Sequence, residues 1–172
     1  SEEVDVIIPV YNGYKFLEKL LSSVSKTKMK YRLILINDKS PDERVLEYLE
    51  KYAEGKSNVL LLNNEENKGF VQTVNRGFGV GTNHVALVNT DVELPDMWLE
   101  RLMLPIFEDE KVASTTPYTT CGTICSFPDF GKDNKLFLDL NVDQIDAEFI
   151  KQRPVYIAVS YTHLRAHETL SD

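Results

Sequence analysis

The chain has 172 residues, a formal net charge of −8 and an acidic pI near 4.9, which suit one ordinary domain with a sizeable core. That acidity argues against a nucleic-acid or anionic-membrane surface, while a phosphorylated ligand held by backbone amides and a divalent cation stays compatible with it. Cys121 and Cys125 are too few for a disulfide framework or a closed zinc site. No apolar run is long enough to cross a bilayer and no signal peptide is read before the first strand. We expect a cytoplasmic protein, with peripheral attachment to the inner face of the membrane left open.

Val4 to Val10 is a short apolar run that suits a buried parallel strand. Leu17, Leu20, Leu21 and Val24 follow at helical spacing, and Leu33 to Ile36 reads as a second buried strand. Ser40-Pro41-Asp42-Glu43 looks like a helix start, with Ser40 as the cap and Pro41 in the first turn. Val45, Leu46 and Leu49 continue that helix and Gly55 suits its end. Val59 to Leu62 is a third strand, Phe70, Val74 and Phe78 mark the helix after it, and Val85 to Val88 is a fourth strand. Leu94-Pro95-Asp96-Met97-Trp98 opens another helix, with Leu99, Leu102, Met103 and Ile106 facing inward. Residues 112–117 and 155–159 read as two further strands, with a polar loop and a short helix between them. Strands alternating with helices predict a parallel, doubly wound α/β sheet with right-handed crossovers.

The chemistry gathers at the strand ends. They carry Tyr11-Asn12, Asn37-Asp38, Asn63-Asn64 and Asn89-Thr90-Asp91. In open parallel sheets ligands bind outside the carboxyl ends, where strand order reverses. Asn and Asp are also ordinary turn residues, but four such ends at one edge favour a polar ligand site. An extended segment would put Asn89, Asp91 and Glu93 on one side. Asp91 would there anchor Mg2+ or Mn2+ against a pyrophosphate; the plain alternative is that it caps the next helix or turns the chain, and spacing alone favours that alternative.

Val6 to Gly13, Ile36 to Ser40, Asn67-Lys68-Gly69-Phe70 with Asn75 and Gly77, and Leu87 to Asp91 with Pro95 and Trp98-Leu99 together resemble the successive motifs of family 2 glycosyltransferases. The likeness covers about the first two-thirds of the chain. It implies the GT-A fold: a Rossmann-like, mostly parallel sheet flanked by helices in three α/β/α layers, here incomplete at the C-terminus. It implies inverting sugar transfer from a UDP- or dTDP-linked nucleotide-sugar to a hydroxyl of a saccharide or lipid-linked acceptor. By position, Pro9, Val10, Tyr11 and Asn12 would line the nucleoside pocket, and Asp38 would accept a hydrogen bond from the base. Asn67, Lys68 and Gly69 would border base and ribose. Asn89, Thr90 and Asp91 would occupy the family's DxD position, with Asp91 as the metal ligand. Asn89 stands where the first Asp is often found, a variant that resembles the rhamnosyltransferase-like branch and leaves one carboxylate for the metal.

The family's general base, an Asp or Glu of the acceptor half, has no counterpart that we can name. Asp129, Asp133, Asp139, Asp143 and Asp146 read as loop carboxylates. Residues 160–172 resemble translated adaptor read-through, so we expect a nucleotide-sugar-binding domain over 1–159, cut before the acceptor half, and a non-native tail. His163 and His167 lie four apart in that tail and carry little weight as metal ligands. Gly77-Phe78-Gly79-Val80-Gly81 follows a helix and reads as its end, Trp98 reads as core, and Tyr11 is the better stacking candidate. The rival readings are a nucleotide-binding module without chemistry and a receiver-like domain, which lacks its acidic pair after the first strand. A nucleotidyltransferase would need a Gly-rich basic loop there.

Overall fold

The computed structural model describes residues 3–117 and 139–152. Four parallel strands, β1 (Val4–Val10), β2 (Tyr31–Asn37), β3 (Val59–Asn63) and β4 (His84–Leu87), form one sheet in the order β3-β2-β1-β4. The chain steps outward from β1 to β3 and then returns to β1's other side, so strand order reverses between β1 and β4. The α/β class, the parallel sheet and the flanking helices are as the sequence predicts.

Period-two alternation sorts the strand residues between the two faces. Val4, Val6, Ile8 and Val10 of β1, with Leu33 and Leu35 of β2, meet α1 (Tyr14–Ser25), α2 (Glu43–Ala53) and α4 (Trp98–Glu108) through Leu17, Leu21, Leu49, Leu99 and Met103. Each fully buried Leu there contributes about 1.5–3 kcal/mol. Ile7, Ile34 and Ile36 face the other way, toward α3 (Gly69–Val80). Gly77 lets that helix lie close, since a Cβ on it would sit 2.7 Å from Ile7 Cγ2 and 2.8 Å from Ile36 Cδ1.

Several expectations shift. The α2 cap is Asp42, whose side chain accepts from the Arg44 amide, while Ser40 Oγ instead accepts from the Asn12 amide at 2.9 Å. Gly55, at φ 72°, follows the helix end as predicted. The buried stripe of α3 is Thr73, Val74 and Gly77; Phe70 and Phe78 are half exposed, because the helix is pinned over the sheet by its smallest residue. The fourth helix begins at Trp98 rather than within Leu94–Met97, after Met97 takes a left-handed turn. Trp98 is core, its Nε1 donating to Thr27 Oγ1 at 2.9 Å. Residues 112–117 are not a strand; Thr115 instead donates to the Leu102 carbonyl of α4. The expected short helix is the eleven-residue α5 (Val142–Gln152), which contains Asp143 and Asp146 and is tied to α4 by Arg101–Asp146 at 2.9 Å. The second expected strand at 155–159, both cysteines, Asp129, Asp133 and the tail lie outside the described residues.

At the amino edge of the sheet, away from the polar strand ends, Asp5 is fully buried. Arg32 donates to it twice, at 2.8 and 2.9 Å, and the amides of Thr82 and Asn83 donate at 2.7 and 3.1 Å. Burial pushes its carboxyl up, but Arg32 and these amides outweigh burial and hold it at about 2.

Candidate functional site

The polar strand ends are cross-linked to one another before any ligand arrives. Asn12 and Gly13 both adopt left-handed backbone, φ 55° and 70°, which turns β1 sharply into α1. The Asn12 amide donates to Ser40 and its side chain accepts from the Asp42 amide, so two adjacent loops are joined. Asn37 Nδ2 donates to Asn63 Oδ1 at 3.2 Å, and Asn37 Oδ1 accepts from the Ser40 amide.

Asp38 is the hub of this edge. It is 3% exposed. Its Oδ1 accepts from Asn64 Nδ2 at 2.7 Å and from the Lys68 amide at 2.8 Å, and its Oδ2 accepts from the Gly69 amide at 2.9 Å. Burial pushes its carboxyl up, yet the Lys68 amide, Asn64, Thr73 and the Gly69 amide together hold it below the ordinary range. Asn64 is locked in turn: its amide nitrogen also donates to Thr73 Oγ1, and its oxygen accepts from Arg76 Nη1 at 2.6 Å. The carboxylate therefore serves the turn that opens α3. A base reaching Asp38, as the resemblance implies, would displace one of these protein donors.

Between the ends of β1 and β4, at the reversal of strand order, lies a cleft of about 540 Å³. Pro9, Tyr11, Asn89, Thr90 and Asp91 line it together with Gly13, Phe16 and Phe70. The sequence had named the first five. Val10 is buried in the core beneath, and Asn67 and Lys68 are exposed on the α3 turn. Phe16 and Phe70 were missed as lining residues. The usable signal was position: both fall in the first turn of a helix that follows a strand, hence at the carboxyl edge.

Val88 extends β4 by donating to the Ile7 carbonyl at 2.9 Å, after which the chain turns at Thr90-Asp91. That turn breaks the expected alternation. Asn89 and Asp91 stay on the cleft, whereas Glu93 pairs with Lys19 at 2.6 Å and lines a separate groove beside α1. Asp91 does not cap α4, which starts seven residues later. Its carboxylate is exposed and makes no hydrogen bond or ion pair with any described residue. It is the one carboxylate in the cleft lining, and no group of three metal-ligating side chains occurs among the described residues. On the same cleft, α1 begins without a side-chain cap or an acidic residue in its first turn, so its positive end favours an anion there.

Comparison with known proteins agrees with this geometry. The chain is 28% identical over 136 residues to a dolichol-phosphate mannosyltransferase of Pyrococcus furiosus, covering 76% of this chain and 37% of that one. It is 25% identical over 131 residues to an uncharacterized glycosyltransferase of Haemophilus influenzae, covering 72% and 40%. The match thus spans well under half the length of either relative. Among solved structures, TarS of S. aureus in complex with UDP-GlcNAc superimposes with a TM-score of 0.56 at 26% identity, covering 63% of this chain and 32% of TarS. The sequence profile of glycosyl transferase family 2 matches residues 5–134. With the parallel sheet and the cleft at its switch point, that match places the chain in glycosyl transferase family 2.

Proposed function

We propose that residues 1–159 form the donor-binding part of an enzyme that moves a sugar, with inversion, from a UDP- or dTDP-linked donor to a saccharide or lipid-linked hydroxyl. The observation that carries this is the cleft between β1 and β4, which combines exposed aromatics with one carboxylate that has no partner among the described residues. Pro9, Val10, Tyr11 and Asn12 shape the nucleoside side of it, and Asp38 acts on the base side with Asn67, Lys68 and Gly69. Asn89, Thr90 and Asp91 face the diphosphate. TarS, solved with UDP-GlcNAc, supports a uridine nucleotide.

Mg2+ or Mn2+ fits Asp91. The carboxylate is exposed and has no partner among the described residues, and a hard cation takes one or two carboxylates while keeping waters and substrate phosphates as its other ligands. When bound, the ion neutralises charge developing on the nucleoside diphosphate leaving group. One carboxylate with Asn89 beside it makes a weak site alone, so metal and nucleotide bind together. That Asn-for-Asp change is our reason for favouring the rhamnosyltransferase-like branch.

The described cleft supplies no second carboxylate to deprotonate an acceptor. We therefore read the described residues as a donor-binding part that transfers no sugar by itself, the base lying outside them. No helix among the described residues is long and apolar enough to cross a membrane. Titration calorimetry tests the reading. UDP or dTDP should bind more tightly than ADP, and only with Mn2+ or Mg2+ present; equal affinity for ADP, or binding indifferent to metal, would contradict it.

A further inference from the structure

Phe70 occupies an unusual place. It lies three and four residues before Thr73 and Val74, so helical spacing puts it on the stripe of α3 that faces the sheet. Yet it is 55% exposed, while Val74 is 5% exposed. Phe70 is the second residue of α3 and lines the cleft. Tyr11, 50% exposed at the end of β1, and Phe16, 40% exposed on α1, share that cleft. Because α1 and α3 pack on opposite faces of the sheet, Phe16 and Phe70 approach from opposite sides.

The turn bearing Phe70 is fixed. Lys68 and Gly69, the two residues before it, donate their amides to the buried Asp38. Gly69 sits at φ 77°, a conformation that suits glycine and sets the direction in which the helix leaves. Gly77 holds α3 over Ile7 of β1 and Ile36 of β2. The Lys68 and Gly69 amides tie the start of that helix to Asp38 at the end of β2, and Asp91 follows β4. Phe70 and Asp91 line the same cleft, so a nucleotide whose diphosphate met Asp91 could reach Phe70 with its base.

We propose that Phe70 is a stacking platform for the nucleobase, and that Asp38 is a positioning residue that acts on the base by holding the turn carrying Phe70. The inference rests on the nucleotide reading above. An exposed aromatic face recognises a flat base through stacking, an interaction open to any base, and leaves discrimination to neighbouring polar groups.

The test titrates UDP with Mn2+ into the full chain as wild type, Phe70→Leu, Phe70→Tyr and Asp38→Asn, with pyrophosphate plus Mn2+ as the base-free probe. Phe70→Leu keeps apolar bulk but removes the ring, and at an exposed site it should leave the melting temperature unchanged. It should weaken UDP about tenfold, with pyrophosphate binding unaltered, and Phe70→Tyr should retain wild-type affinity. The losses from Phe70→Leu and Asp38→Asn should not add in the double variant, because both remove the same contact. UDP binding within twofold of wild type for Phe70→Leu, or an equal loss for pyrophosphate, would overturn the proposal. Fully additive losses would overturn the role given to Asp38. A wild-type chain that binds pyrophosphate but not UDP would overturn the nucleotide reading itself, along with the platform.

Discussion

The two ends of α3 are held by the same device, a buried aspartate on the sheet, with different consequences. At its start, Asp38 gathers the amides of Lys68 and Gly69 and the Asn64 side chain. Just past its end, Asp5 gathers the amides of Thr82 and Asn83, and Arg32 bridges from Asp5 to the Val80 carbonyl. Both carboxylates are buried, and both have their cost of burial offset by charge-assisted hydrogen bonds. Asp5 stands at the amino edge of the strands, away from the cleft, and ties β1 to Arg32 and to the turn after α3. Asp38 stands at the carboxyl edge, so the turn it holds is also a wall of the cleft. On the proposal above, the same chemistry gains a binding role through its position on the sheet.

Removing each aspartate separates the two roles. Asp5→Ala strands the Arg32 guanidinium and two amides, and should lower unfolding free energy by about 3 kcal/mol in urea denaturation. Nucleotide affinity of the fraction still folded should be unchanged. Gly77→Ala, midway between the two clamps, forces α3 off Ile7 and Ile36 and should cost about 2 kcal/mol. Acid should release the clamps in a defined direction. Asp5 is depressed to about 2 in the fold and titrates near 3.9 when unfolded, so its contribution is present above about pH 4. It is lost as pH falls toward 2, a loss of about 2 kcal/mol that Asp5→Ala should abolish. Asp38→Asn keeps the shape but turns one acceptor into a donor facing a backbone amide. It should cost about 1–2 kcal/mol and, unlike Asp5→Ala, weaken nucleotide binding in the folded protein.

Much of this was legible in the sequence, and the exceptions have physical reasons. Strand and helix order followed from apolar periodicity, because buried parallel strands are nearly continuous apolar runs. The polar strand ends pointed to the correct edge. Phe70 rightly marked a helix, but period alone could not show that its ring is exposed on the cleft. Ser40 has the right chemistry for a cap, but Asn12, 28 residues earlier, claims its hydroxyl, and such a tertiary bond leaves no local trace. Glu93 was grouped with Asp91 on the premise of an extended chain, and the turn at Thr90-Asp91 sends it to Lys19 instead. Asp38 was named from the sequence as a candidate contact to the base, whereas its enclosure by Asn64 and two amides needed the structure.

The central claim is that the cleft between β1 and β4 holds a nucleotide diphosphate through a metal on Asp91. The most direct measurement is UDP titration with and without Mn2+, on wild type and on Asp91→Ala. Because Asp91 is exposed and unpartnered among the described residues, its removal should change folding stability by no more than about 0.5 kcal/mol. The account predicts Mn2+-dependent binding in wild type and loss of most of that dependence in Asp91→Ala. Unchanged Mn2+-dependent affinity in the variant would contradict it, and would leave Asp91 a turn residue.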